Sequence, residues 1–270
     1  MHVNEAENGV VYLTWPAIEK IEGIRHAFST RIGGVSKKHL SSMNLSFSRG
    51  DDPANVRENY RRFCEAAGFE VENIVTSDQA HTTKVRYVTK ADCGSGVTRD
   101  RDFHDIDGMI TDEPGVVLAT FYADCVPLYF VDPVHRAIGL SHSGWRGTVH
   151  KMGQATLDAM HERFGTEAKD VIAAVGPSIC QDCYEVSGDV IEEFRAAFPE
   201  TLHEKLFYGK PDGKYQLNLW EANQILLAAG VPEKQIHLPN LCTCCNPDFL
   251  YSHRASKGKR GNLAAFLSLV

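Results

Sequence analysis

The chain has 270 residues, 43% of them hydrophobic, and a net charge of -7. That is enough apolar material for a sizeable core, and the acidic balance argues against a general nucleic-acid binder, which carries a basic excess. No apolar run reaches the roughly 20 residues of a membrane helix, and the N-terminus carries neither a basic nor an apolar leader, so a cytoplasmic protein is expected, with its 8 cysteines serving as thiols or metal ligands.

In chain order, residues 10–15 and 25–30 read as strands, the second followed by a Gly33-Gly34 turn. Asp52-Pro53 supplies an N-cap and a proline at the first helical position, and Gly68 a stop, which predicts a helix over 53–67. Residues 85–89 and 108–111 read as short strands. In the centre, 116–122, 126–131 and 137–141 are apolar strands, 148–164 is an amphipathic helix closed by Gly165, and 171–175 is a buried strand. Strand, helix, strand in that order implies a parallel crossover. Residues 189–198 and 219–229 read as helices, the latter stopped by Gly230, and 263–270 as a final strand. With no repeat or linker in the series, the expectation is one α/β domain over 1–270, a mixed β-sheet with flanking helices.

Asp132-Pro133-Val134-His135 places proline at the second position of a turn. If that turn closes a symmetric hairpin, position 131 faces 136 and Cys125 faces His142 on the same side of the sheet. A thiol beside an imidazole serves metal ligation, which suits zinc. It also serves as a Cys–His nucleophile pair, in which the imidazole activates the thiol. A buried cysteine beside a satisfied histidine is the plain alternative. Two details favour chemistry. His142 opens Ser143-Gly144-Trp145-Arg146-Gly147, a strand-to-helix turn of glycines and a cation, and Asp124 sets a carboxylate beside the thiol.

Three motifs, Gln79-Ala80-His81, Ala123-Asp124-Cys125-Val126-Pro127 and His142-Ser143-Gly144-Trp145-Arg146-Gly147, resemble the metal-ligand motifs of the laccase-domain purine nucleoside phosphorylase family, the YfiH-like and YlmD-like proteins. The likeness continues through Arg31-Ile32-Gly33-Gly34-Val35-Ser36, Asn44-Leu45, Asp107-Gly108, Gly176-Pro177-Ser178-Ile179-Cys180, Tyr184-Glu185-Val186 and Cys242-Thr243-Cys244-Cys245-Asn246-Pro247. The chain departs from the family pattern at Ala80 and Thr82 around the first ligand, at Ser143, and at His253. The resemblance implies a metal held by His81, Cys125 and His142, zinc with copper as the alternative. It implies purine nucleoside phosphorylase activity on adenosine, inosine and S-methyl-5'-thioadenosine, with adenosine deaminase activity, and it leaves room for a homodimer. Purine nucleosides and phosphate are then the partners.

Three ligands leave the fourth zinc position open, as catalytic sites do. The turn from Ser143 to Gly147, opening the helix at Thr148, offers backbone N–H groups to phosphate, and Arg146 and Arg31 could add bidentate contacts. Asn44, Ser143 and Trp145 complete the expected substrate contacts, with Phe121 and Tyr122 as further stacking surfaces for the base.

Other signals compete. Cys180-Gln181-Asp182-Cys183 and Cys242-Thr243-Cys244-Cys245 could form a four-thiolate zinc site, or the first a redox pair. Because C-x-C-C is not a usual zinc knuckle, buried structural thiols are the favoured reading. None of the 12 histidines is followed at H-x-E spacing by glutamate, which excludes the usual zinc nucleoside deaminase signature. No H-x-H pair offers a multicopper centre, and no P-loop or G-x-G-x-x-G occurs. The remaining alternatives are a metal-free Cys–His amidase, a copper polyphenol oxidase, and a non-catalytic protein that binds a metal or small molecule.

Overall fold

The computed structural model describes residues 1–270 and is a mixed α/β fold in which strands of two sheets carry most of the core. The first sheet runs β1 (His2–Glu5), β2 (Val11–Thr14), β3 (Ile24–Ser29), β15 (Leu263–Leu269), β7 (Val117–Tyr122) and β4 (Ile74–Thr76), antiparallel except for the β4–β7 pair. The second runs β14 (Ile236–His237), β10 (Ile172–Val175), β8 (Val126–Asp132), β9 (Ala137–Ser143), β6 (Gly108–Thr111) and β5 (Val85–Tyr87), with parallel pairs at both edges. A small third sheet joins β11 (Glu185–Val186), β13 (Tyr215–Leu217) and β12 (Phe207–Gly209). The expected α/β fold of mixed sheet and flanking helices is present, its strands distributed over three sheets.

Alternation along the strands explains the layers. On β15, Ala264 and Phe266 pack with Val56, Tyr60 and Phe63 of helix α2 (Pro53–Ala67), while Leu263, Ala265 and Leu267 face the second sheet. On β8, Tyr129 and Val131 meet that inter-sheet core, and Leu128 and Phe130 face helices α4 (Met152–Phe164), α5 (Gly188–Ala197) and α7 (Leu219–Ala228). The result is four layers, helix, sheet, sheet, helices. Short helices α1 (Pro16–Glu19), α3 (Trp145–Val149), α6 (His203–Leu206) and α8 (His253–Ser256) complete the chain.

Three local expectations change. The crossover from β9 through α4 to β10 exists, but β8 lies between the two parallel strands, antiparallel to each. The β8–β9 register is Val131 opposite Ile138 and Pro127 opposite His142, two residues from the expected pairing. The cause is Asp132, whose carboxylate accepts from the backbone N–H of Val134 (2.9 Å) and His135 (3.1 Å). That holds Asp132 as the last strand residue opposite Ala137 and moves the loop one residue along, with Arg136 taking a left-handed φ of 51°. An offset of two preserves the face each side chain points to. Finally, the helix expected over 148–164 starts at Trp145, breaks at Lys151, where φ is 60°, and restarts at Met152.

Candidate metal centre

His81 and Cys125 come from two separate connections and His142 from strand β9, and the three meet at one end of the sandwich, their ligand atoms all within 4.8 Å of one another. Cys125 sits where the chain passes from β7 in the first sheet to β8 in the second. Its neighbour Asp124 has φ 93°, a conformation that persists only when the surroundings over-determine it. Here they do. The Asp124 carboxylate accepts from Thr243 Oγ1 (2.6 Å) and Arg254 N–H (2.7 Å), and its carbonyl from Ile179 N–H (3.0 Å). His142 lies near the end of β9, almost fully buried. His81 occupies the loop between β4 and β5, again with a left-handed φ, 60°. That loop is fastened to β7 by Gln79, whose side-chain amide exchanges two 2.7 Å hydrogen bonds with the backbone of Phe121. Gly144 is required for space: a Cβ there would stand 3.0 Å from His81 Nδ1 and 3.2 Å from Cys125 Sγ.

Asp107, fully buried, organises two of the three candidate ligands. Its Oδ1 accepts from His142 Nδ1 (2.8 Å) and from the His81 backbone N–H (3.1 Å). Its Oδ2 accepts from the backbone N–H of Ala80 (3.0 Å) and Thr82 (2.8 Å). Burial alone would raise its carboxyl, but these donors, His142 foremost, hold it at about 2. Burial works equally against a charged His142, and the Cys125 sulfur and Asp107 overrule it to hold that imidazole at about 9 without a metal. His81 is pushed the other way, down, by desolvation and by the adjacent His142. With Nδ1–H of His142 committed to a carboxylate, Nε2 is left for the cluster, the arrangement that metal-binding histidines adopt. Two imidazoles and one sulfur converging this way fit a zinc-type centre with a position to spare.

The centre forms one wall of a cavity of about 370 Å³, large enough for a nucleoside-sized ligand. Phe121, Phe47, Ser46 and Asn262 line it, as do three arginines, Arg49, Arg101 and Arg260. Arg101 is neutralised by Asp78 (3.0 Å) and bonded to Thr76 and Ser77. Arg49 and Arg260 have no carboxylate partner, and the Nε of each is buried without a hydrogen bond. Burial, followed by the like charge of Arg49, lowers Arg260 to about 10. Two cations lining one cavity without a carboxylate partner are costly unless an anion shares their site.

The expected substrate contacts lie elsewhere. Arg146 is exposed, outside the cavity lining, and stacks its guanidinium 4.3 Å from the Trp145 ring centre. It does not pair with Asp124, whose acceptors are already engaged. Trp145 packs against the helical side of the core, and Ser143 is buried, donating to Asn223 Oδ1 (3.1 Å). Asn44 is fully buried and bonded to Ser46, Asp51 and Asn262, so it shapes the cavity wall from behind. Arg31 donates to the carbonyls of Ser41 (2.8 Å) and Pro247 (2.5 Å) and lies over Tyr251. Of the expected stacking surfaces, Phe121 and Tyr122 line the cavity. Sequence reasoning passed over Arg49, Arg260 and the role of Asp107. The Asp107-Gly108 motif was a signal for the last, whereas nothing local marks the arginines.

A family model described as multi-copper polyphenol oxidoreductase laccase matches residues 25–270. A purine nucleoside phosphorylase YlmD of Geobacillus stearothermophilus is 38% identical over 244 residues, covering 88% of each chain. A protein named adenosine deaminase RL5, from an unknown prokaryotic organism, is 32% identical over 239 residues, 87% of this chain and 90% of its own. The crystal structure of the Bacillus licheniformis hypothetical protein YfiH is similar with a TM-score of 0.91 and 32% identity, covering 99% of both chains.

Proposed function

The chain belongs to the laccase-domain family, and on that premise we propose that it is a zinc-dependent purine nucleoside phosphorylase acting on adenosine, inosine and S-methyl-5'-thioadenosine, with adenosine deaminase activity. The observation that carries the reading is the open His81–Cys125–His142 centre facing a cavity with two arginines that lack a carboxylate partner. His81, Cys125 and His142 would hold the ion, which supplies Lewis acidity when bound.

The rest of the work belongs to the chain. Asp107 keeps the His142 proton on Nδ1 and fixes the His81 backbone, so both rings stay presented to the cavity. Arg49 and Arg260 hold the phosphate by charge-assisted hydrogen bonds, the role the sequence suggested for Arg146. Phe121 offers a face to the purine. In phosphorolysis a phosphate oxygen bonds to ribose C1′ as the C1′–N9 bond breaks, and the purine leaves with the electron pair. In deamination, water adds at C6 and ammonia departs. Purine nucleosides and phosphate are therefore the partners proposed, and no helix is long and apolar enough to cross a membrane.

Product analysis with adenosine and inosine, with and without phosphate, on metal-quantified protein tests the reading. Free base and ribose 1-phosphate should form only with phosphate, and inosine should form from adenosine without it. Nucleoside binding without turnover would instead favour a non-catalytic role. A second reading has one observation in its favour: His142 stands between Cys125 and Asp107 in the order of a cysteine–histidine–aspartate nucleophile. Turnover that survives complete metal removal would select it.

A further inference from the structure

A second cluster of sulfurs lies outside this centre. Cys180, Cys183, Cys242 and Cys245 bring their Sγ atoms within 4.8 Å of one another. Cys244 is not one of the four, although its side chain lies beside Cys183, so the 242–245 run is a second C-x-x-C with a further cysteine inside it, which the C-x-C-C reading of the sequence obscured. We propose that these four cysteines bind one structural zinc ion, the second metal of the chain and distinct from the His81–Cys125–His142 centre.

Four observations support this. Zinc–thiolate bonds of about 2.3 Å in a tetrahedron separate sulfurs by about 3.8 Å, and Cys183 and Cys180 stand 3.4 and 3.9 Å from Cys245. A disulfide would require about 2.05 Å and join only two of the four. Two backbone N–H groups, of Cys180 (3.2 Å) and Cys245 (3.4 Å), point at the Cys242 sulfur, donors suited to a thiolate. Apolar packing does not gather the group, since Cys180 and Cys183 are half-buried and Cys245 is exposed. Four soft ligands gathered within 4.8 Å suit zinc, the alternative occupant of such a set being an iron–sulfur cluster.

The ion would join two loops that are 62 residues apart at Cys180 and Cys242. The same loops touch through Thr243 N–H to Ser178 O (3.1 Å), and both reach Asp124, through Thr243 and Ile179. A zinc ion there therefore braces the surroundings that hold Asp124, beside Cys125, in its left-handed conformation.

The test is elemental analysis of the zinc-reconstituted full chain. Wild type should hold two zinc ions per chain, and Cys183→Ser, Cys245→Ser and Cys125→Ala one each. Cobalt loaded into Cys125→Ala, which leaves the cluster untouched, should show sulfur-to-cobalt charge transfer and the intense visible bands of a tetrahedral tetrathiolate. That arm stands even if the serine variants do not fold. Cys125→Ala without bound metal, a disulfide among these cysteines in the native protein, or iron with inorganic sulfide at the cluster would overturn the proposal.

Discussion

Replacing Asp107 by Asn would disturb both histidine ligands at once. The carboxylate accepts from His142 Nδ1 and from three backbone N–H groups, at 2.8 to 3.1 Å, with the Thr82 hydroxyl as a further donor at 3.1 Å. An amide keeps one acceptor oxygen and turns an NH2 toward donors that then have no partner. Loss of an outer-shell partner of a metal ligand costs about 10–100-fold in affinity, or about 1.4–2.7 kcal/mol. Since Asp107 also fixes the left-handed His81 backbone, the upper end is expected, a zinc Kd about 100-fold weaker. The fold should also suffer, at about 1–3 kcal/mol for each buried donor left unpaired. Competition with a chelating dye at pH 7 measures the first, and denaturant unfolding of the metal-free protein the second. A folded Asp107→Asn that binds zinc within about threefold of wild type would show that the Asp107 carboxylate does not position the two histidines for the metal.

Gly144→Ala should weaken metal binding without a comparable loss of stability, because its methyl must displace His81 or Cys125 by a few tenths of an ångström; unchanged zinc content after dialysis would contradict the crowding. Arg260→Met should raise KM for phosphate by about 10–100-fold, the worth of a charge-assisted contact, and largely spare deamination. Arg146→Met should change KM for phosphate by less than about threefold, and the reverse ranking in steady-state kinetics would restore Arg146 to the phosphate role. His26 is buried and accepts the Trp15 N–H at 2.7 Å, and desolvation lowers it from 6.5 to about 4. The unfolded chain therefore gains this proton first, and stability should fall by about 3 kcal/mol as pH drops from about 6.5 to 4. Unfolding curves across that window check it, and His26→Leu, although less stable at neutral pH, should lose that part of the slope.

What the sequence could determine was local. Helix Pro53–Ala67 appears where Asp52, Pro53 and Gly68 placed it, because the Asp52 carboxylate caps Ala54 N–H at 2.8 Å and Gly68 takes φ 74°. Strand Gly108–Thr111 and the central strands were legible because short apolar runs are written in adjacent residues. The three motifs that carry His81, Cys125 and His142 were legible as motifs, each a short run of residues, and the structure brings the three side chains together. Tertiary structure decided the rest. The helical pattern runs on through Lys151, so its break there leaves no mark in the periodicity. The division into two sheets depends on which strands pair across the whole chain, as β15 does with β3 and β7. Arg49 with Arg260, Asp107 with His81 and His142, and Cys180 with Cys242 meet only once those sheets have stacked. Their proximity comes from long-range packing, for which no contiguous segment carries a signal.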